Sequence, residues 1–448
     1  MLTRLLNLWG SLRDSFWFVP SFMVFLAVVL SMIMLAIDRR GGLEVYPIFN
    51  FLYAGGLEGA RSVLSTIASS MITVAGVVFS ITMVVLTLAS SQFGSRLLKN
   101  FMHDMGNQVV LGTFISTYIY CLLVLQTVHA EEEEIFVPAV SVTFAIALAL
   151  INIGVIIYFI HHVSTSIQAS HVIANVHVEL EKTLQRLFPS ELGGEYRKLE
   201  HNNINDQYKE KYQHTIKIQA RDSGYLQAIA GNDLLEIAAK NNLLIELQYR
   251  PGEFIVKKNI LAIVRSEEEC NEEITNTIAS LFFVGDQRTP EQDPEYAIHQ
   301  LVEIAVRALS PGINDPYTAM TCIDRLGSSL CSLTRKDFPS PYRFDEKRVL
   351  RIIAKTVNFT GITNAAFDQI RQNSRSNVAV IIRMLEMLQK VAVQALHPEQ
   401  RQAVLRQANM IERAARESLL EKNDREDVDQ RYLTLLNSLN GKKSYNET

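Results

Sequence analysis

The sequence predicts an α-helical polytopic membrane protein: four transmembrane helices, then an α+β cytoplasmic C-terminal half. Three observations predict it. Four long apolar runs fall within residues 1–163, each enough for a helix to cross the roughly 30 Å hydrocarbon layer. Residues 214–268 alternate apolar and polar positions like strands. Residues 269–440 return to apolar spacings of three and four, the pattern of a helical bundle.

Composition narrows the function classes. At 448 residues and 48% hydrophobic, the chain accommodates a membrane part and one or two further domains. A formal charge of −4 indicates neither nucleic acid nor a strongly anionic ligand as partner. Cys121, Cys270, Cys322 and Cys331 lie far apart without a Cys-x-x-Cys pair, which argues against a disulfide framework or zinc site and fits a reducing compartment.

Residues 1–15 form a short amphipathic lead with Arg4 and Arg13. The first span is expected from Phe16 to Ile37, entered by Phe16-Trp17-Phe18-Val19-Pro20, an aromatic cluster suited to the headgroup layer. It lacks a small-residue cleavage site, so it reads as an anchor. A Gly- and aromatic-rich connector, Gly41 to Ala60, leads to the second span.

That second span organises the chain. From Ser62 to Ser91 it has no charge and no proline, and as a helix it covers ~45 Å. Steps of three and four pick out Ser62, Thr66, Ser69, Thr73, Gly76, Ser80, Met83, Thr87 and Ser90, eight of the nine small or hydroxylated. Two readings compete. Small residues let membrane helices approach closely, and hydroxyls bond to their own or a neighbouring helix. Alternatively, the stripe lines a water-filled path in which rings of hydroxyls replace part of an ion's hydration. Arg61 lies near one mouth of that path, Arg96 and Lys99 near the other, and no acid lies along it, so the charges lean towards anions although hydroxyl rings also pass cations. Phe79 and Met83 are bulky enough to form a hydrophobic constriction.

The third span is expected from Gln108 to Val128, the acidic loop from Glu131 to Glu134, and the fourth span from Ile135 to Ile160. Arg4, Arg13, Arg96 and Lys99 flank one side of the membrane, the loop after the third span carries no base, and Arg39, Arg40 and Arg61 oppose the trend. The balance places both termini in the cytoplasm of a bacterial inner (plasma) membrane protein. Residues 164–213 read as a helical extension and linker: the helical pattern continues from His161 to Phe188, then Gly193-Gly194 and a polar stretch follow. His161, His162, His171 and His177 have no ligand spacing, so no metal site and no cofactor is expected.

In 214–268, HTIKIQA, SGYLQAI, the helix NDLLEIAAKNN and LLIELQYRPGEFIVKKNILAIV look like half of a barrel-sandwich, the small β fold of biotinyl and lipoyl carriers. A carrier needs a modifiable lysine at its hairpin tip. Lys257 and Lys258 read as strand residues instead, which makes the module structural. From Asn271 the chain reads as helical, with helices around Val349, Ile352, Ile353 and Val357, around Val378, Ile381, Ile382, Leu385 and Leu388, and around Val404, Leu405 and Ile411. Residues 441–448 read as a disordered tail.

The densest cluster of special residues spans 286–326. Asp293-Pro294 and Asp315-Pro316 each read as an N-cap followed by proline at the first helical position. Ser310-Pro311-Gly312-Ile313-Asn314 makes a tight turn between two helices. Capping explains most of it; the competing reading points Arg288, Arg307, Ser310, Asn314 and Asp315 at a small anion or a neighbouring subunit.

Phe-Trp-Phe-Val-Pro at 16–20, Ser91-Gln92-Phe93-Gly94-Ser95-Arg96-Leu97-Leu98, and Ala308-Leu309-Ser310-Pro311-Gly312-Ile313-Asn314-Asp315-Pro316 occur in that order. Together they resemble a bacterial family of predicted inner-membrane proteins catalogued as a domain of unknown function. The resemblance covers about residues 10–420. It implies four spans and a cytoplasmic C-terminal half, and brings no activity or catalytic residue.

No Walker loop, Gly-x-Gly-x-x-Gly before a helix, Gly-x-Ser-x-Gly elbow or His-Glu-x-x-His is present, so no catalytic residue is assigned. The leading expectation is a homo-oligomeric channel-like protein in the lipid bilayer, passing small ions along copies of the second span. The alternative is a non-conducting scaffold or sensor whose cytoplasmic half binds a partner or small ligand.

Overall fold

A computed structural model describes residues 17–40, 56–94, 104–131, 134–188, 212–269 and 271–440. The amphipathic lead, most of the first connector, Arg96 and Lys99, most of the polar linker and the expected tail lie outside these residues. The chain divides into two compact units, Met1–His171 and Val172–Thr448.

Four long apolar helices make the first unit: α1 (Phe18–Arg39), α2 (Gly56–Phe93), α3 (Met105–Thr127) and α4 (Ala139–Ser166). Each is long and apolar enough to cross a membrane. The helix α2 starts inside the stretch expected to be connector, and its 38 residues reach ~57 Å, well beyond the ~30 Å hydrocarbon layer. The third helix sits among the other three, and half of its apolar stretch is buried. Its Gly112 lets α1 come close, because a Cβ there would meet Met23 Sδ at 2.6 Å and Pro20 Cα at 3.2 Å. Between α3 and α4 the acidic loop is a small hairpin, β1 (His129–Glu131) with β2 (Glu134–Phe136).

Two apolar clusters hold the helices. One gathers Ala27, Ala60, Leu64, Ala68, Tyr120, Cys121, Val124, Val142 and Ala145. The other gathers Ala75, Val78, Val110, Leu111, Phe114 and Phe159. At one end Asp38 caps α4 from a hundred residues away: its carboxylate accepts from Val140 N (2.9 Å), Ser141 N (3.0 Å) and Ser141 Oγ (2.5 Å). Pro138, the preceding residue, offers no side-chain cap, so Asp38 takes up the amides the first turn leaves open.

The helix expected to run unbroken from His161 to Phe188 is interrupted. It leaves α4 at Ile167 and Gln168 and restarts as α5 (Ala169–Leu187). Gln168 N bonds Thr165 O and His171 N bonds Gln168 O, turn bonds that the periodicity of the run does not reveal.

In the second unit, two sheets enclose one apolar core. The strands are β3 (His214–Gln219), β4 (Gly224–Ile229), β5 (Leu244–Leu247), β6 (Phe254–Ile255) and β7 (Ile260–Ser266), with α6 (Gly231–Lys240) interposed. After α7 (Glu272–Ser280), β8 (Phe282–Gly285) joins, and β9 (Tyr342–Phe344) and β10 (Leu350–Ile353) arrive from much later in the chain. The five-stranded order is β3-β7-β5-β10-β9 and the three-stranded order β6-β4-β8. β10 lies parallel to β5, with Ile352 opposite Ile245. Ile218, Leu226, Leu234, Ile245, Ala262, Phe282 and Ile352 share the core.

Three expectations are corrected here. Residues 282–285 are a strand, not helix. The segment around Val349, Ile352 and Ile353 is also a strand: β10 lies between two neighbours and buries both faces, Leu350 against Tyr212 and Leu244, Ile352 in the sheet core. A strand covered on both faces loses its alternation, and its apolar residues then mimic helical spacing. Lys257 and Lys258 occupy a two-residue turn between β6 and β7, with Lys258 at φ 71° and its amide bonded to Ala220 O.

Helices complete the unit: α8 (Pro294–Ala308), α9 (Pro316–Leu333), α10 (Phe359–Asn373), α11 (Val378–Gln394), α12 (Pro398–Ser418) and α13 (Lys422–Leu439). Their buried stripes include Leu326 and Leu330, Ile381, Leu385 and Leu388, and Val404 and Ile411.

Candidate functional site

The two sides of α2 are built differently. On one side it buries Ala60, Leu64, Ala68, Ala75, Val78, Ala89 and Phe93, the first five of them packed with residues of α3 and α4. Four of these are alanines, whose short side chains let neighbouring backbones close in. The other side carries the stripe: Ser62, Thr66, Ser69, Thr73, Gly76, Ser80, Met83 and Thr87 are exposed, and Ser90 is half-buried. At Gly76 an added Cβ would meet nothing within 4 Å. The chain's own spans therefore do not cover the stripe.

Four hydroxyls recur at seven-residue spacing and bond back along the helix. Thr66 Oγ1 donates to Ser62 O (2.7 Å), Thr73 Oγ1 to Ser69 O (2.8 Å), Ser80 Oγ to Gly76 O (2.9 Å) and Thr87 Oγ1 to Met83 O (2.9 Å). With each proton committed to a carbonyl, these oxygens present only lone pairs outward. Phe79 and Met83 are exposed at 43% and 47%, on or beside the stripe.

The charges that leaned the path towards anions give less support than their positions suggested. Arg61 donates to Val128 O at 3.1 Å and lies 4.0 Å from the Glu58 carboxylate, so its guanidinium is tied to the end of α3.

Inside the four-helix unit lie polar contacts that sequence spacing did not reveal. Asn152 on α4 donates to Thr117 Oγ1 of α3 (2.9 Å) and to Leu148 O (2.8 Å). Asp104 caps α3 through Gly106 N (2.9 Å) and meets His162 Nε2 at 2.6 Å, with Tyr158 stacked on the imidazole. An isolated Asn or His in an apolar run carries no signal of its partner; only tertiary pairing shows it.

In the second unit the Ser310–Asp315 turn is built by its own residues. Ser310 Oγ donates to Arg307 O (2.6 Å), Asn314 N bonds Ser310 O (2.9 Å) and Asp315 N bonds Ala308 O (2.7 Å). Asn314 sits at φ 50°, a left-handed conformation that asparagine tolerates better than most residues. Asp315 caps α9, accepting from Thr318 N (3.1 Å) and Thr318 Oγ1 (2.6 Å). Arg307 pairs with Glu303 one helical turn back, at 3.5 Å. The turn leaves Ile313 and Tyr317 exposed, Tyr317 at 76%.

Arg288 stands apart from that turn and faces inward. It binds the nearly buried Asp293 at 2.6 Å and His299 Nδ1 at 3.1 Å. Asp293 caps α8 through Glu295 N; burial pushes its carboxyl up in pKa despite the neighbouring guanidinium. Gly252, at φ 95°, lets the β5–β6 turn pass over this carboxylate, since a Cβ there would fall 2.4 Å from Asp293 Oδ2. The five residues proposed from sequence thus form two groups, Arg288 with the α8 cap and the other four around the α8–α9 turn.

Residues 13–390 match the family described as predicted membrane protein, DUF2254. Uncharacterised proteins of Mycobacterium bovis and Mycobacterium tuberculosis are 29% identical over 434 residues, covering 95% of this chain and 81% of each relative. No solved structure matches the chain. The chain belongs to the DUF2254 family of predicted membrane proteins.

Proposed function

We propose that this member of the family is a homo-oligomeric, channel-like protein of the bacterial inner membrane. Copies of α2 turn their hydroxyl faces towards a shared axis and small ions pass along it. One observation carries the reading: α2 packs on its own chain through the alanine side and leaves the hydroxyl stripe from Ser62 to Thr87 uncovered. A seven-residue repeat of small positions is also the spacing at which copies of one helix meet along a seam. The four outward-facing oxygens are acceptors, and acceptor oxygens replace the hydration of a cation better than that of an anion. The direction of selectivity is therefore cationic, against the lean the flanking arginines gave. In this reading both termini lie in the cytoplasm, where the second unit forms a vestibule or gate.

The test is flux from proteoliposomes of the full chain, with the reversal potential read across a KCl gradient. Cation-directed current that falls in Ser80→Leu and Thr73→Leu while the assembly survives supports the proposal. Intact assemblies passing no ion at any voltage or membrane tension overturn it. A second reading, a non-conducting scaffold or sensor, draws on the same hydroxyl bonds: a stripe whose donors are already satisfied also packs dry against a neighbouring copy.

A further inference from the structure

The second unit holds a cavity of about 730 Å³ that neither the ion path nor the Ser310–Asp315 turn uses. It opens among the end of α5, the start of α6, the β5–β6 turn and the segment around β9 and β10. Its size falls within the ~300–1,000 Å³ range of small-molecule sites. Most of the wall is apolar, with Phe188, Leu234, Leu247 and Ile352 among the contributors, and Tyr249 adds an aromatic face.

The charged residues on this wall are Arg250, Arg343, Lys355 and Asp233. Arg250 is already neutralised, 2.8 Å from Glu295 and 3.8 Å from Glu253. Arg343 is not. It is partly buried and donates to two backbone carbonyls, of Ser340 and Tyr342, and no carboxylate among the described residues lies within ion-pair distance. Burial pulls its pKa down, as expected of a guanidinium taken from water without a counter-charge. Lys355 lies over the Tyr249 ring, 5.7 Å from its centroid, again without an acid. Asp233, the one carboxylate on the wall, is exposed in the first turn of α6. No side chain caps that turn, so its amides add donors at the same edge.

A desolvated cation costs free energy that an anion of matching shape returns. We propose that this cavity binds a small organic anion with an aromatic body and one phosphate or carboxylate, of nucleoside monophosphate size. Arg343 and Lys355 hold the anionic group, and the ring lies along Tyr249 and Phe188. Tyr249 and Lys355 also line a neighbouring cavity of about 580 Å³, so an occupant that moves them is felt on both sides. The site stands whether or not α2 lines an ion path.

The test is calorimetric titration of the full chain in lipid nanodiscs, with empty discs subtracted. The probes are 1-naphthyl phosphate and AMP, with 1-naphthoate as the carboxylate arm, and inorganic phosphate and uncharged 1-naphthol as the two halves. Saturable binding of an aromatic anion, at least about tenfold tighter than either half, is expected. Arg343→Gln should weaken it by about tenfold or more, and Arg343→Lys should recover part of the loss. The exposed Lys355→Gln, which leaves the fold alone, should weaken it by a smaller factor. Naphthyl phosphate or naphthoate binding better assigns the head group; AMP binding best assigns a nucleotide. No saturable binding of any aromatic anion, equal affinity for naphthol, or affinities unchanged in Arg343→Gln and Lys355→Gln overturns the proposal.

Discussion

The two sides of α2 use the same kind of residue for opposite ends. Ala60, Ala68, Ala75 and Ala89 are small and buried, the first three against α3 and α4. Ser62, Ser69, Gly76 and Ser80 are just as small and uncovered. Small size alone therefore does not say which partner a membrane helix has. What separates the sides is the density of hydroxyl oxygens: the covered side has one, Thr82 between Ala75 and Ala89, while the open side repeats one every seven residues. The covered side explains how one chain folds, and the open side is the one the proposed oligomer uses.

That contrast breaks most visibly at Gly76. Gly76→Leu should leave the monomer folded, since its Cβ meets nothing in the chain, and abolish the oligomer. Native mass spectrometry or cross-linking in membranes reads this; an unchanged oligomer would show that the open side faces lipid. The matching change on the other side, Ala68→Leu, should destabilise the monomer by about 1–3 kcal/mol through overpacking, visible as a lower midpoint of unfolding in mild detergent. If both variants behaved alike, the distinction between the sides would be lost.

Two smaller effects sharpen it. Asp38→Ala removes the cap of α4 and should cost about 1–2 kcal/mol, with faster hydrogen exchange confined to the first turn near Val140. Thr66→Val keeps the shape and removes one intrahelical bond; the expected loss of monomer stability is under about 0.6 kcal/mol. A large loss at Thr66 would mean that its hydroxyl holds another span.

Much of this was legible in the residues. Apolar length announced the four helices, and Asp-Pro announced the starts of α8 and α9, because capping is local chemistry that needs only neighbours in sequence. The hydroxyl stripe was equally plain, but its exposure was not: periodicity identifies a face without saying what lies opposite. β8, β9 and β10 were missed for a related reason. β10 is covered on both faces and so carries no alternation, while β8 and β9, at four and three residues, are too short to show one; only pairing with β4, β5 or β10 tells them from helix or loop. The Arg343 cavity was invisible because its cations come from β5–β6, β9 and the strand exit at Lys355, which meet only once the sheet has closed.

The carboxylate of Asp38 also sets an order of biogenesis. A chain emerging from the ribosome makes the first span about a hundred residues before the amides of Val140 and Ser141 exist. Until then that acid, at the rim of a helix otherwise uncharged but for Arg39 beside it, has no amide to bond across the bundle. The bundle is thus latched by its last strut, and any product truncated before Val140 emerges with its first anchor unfastened.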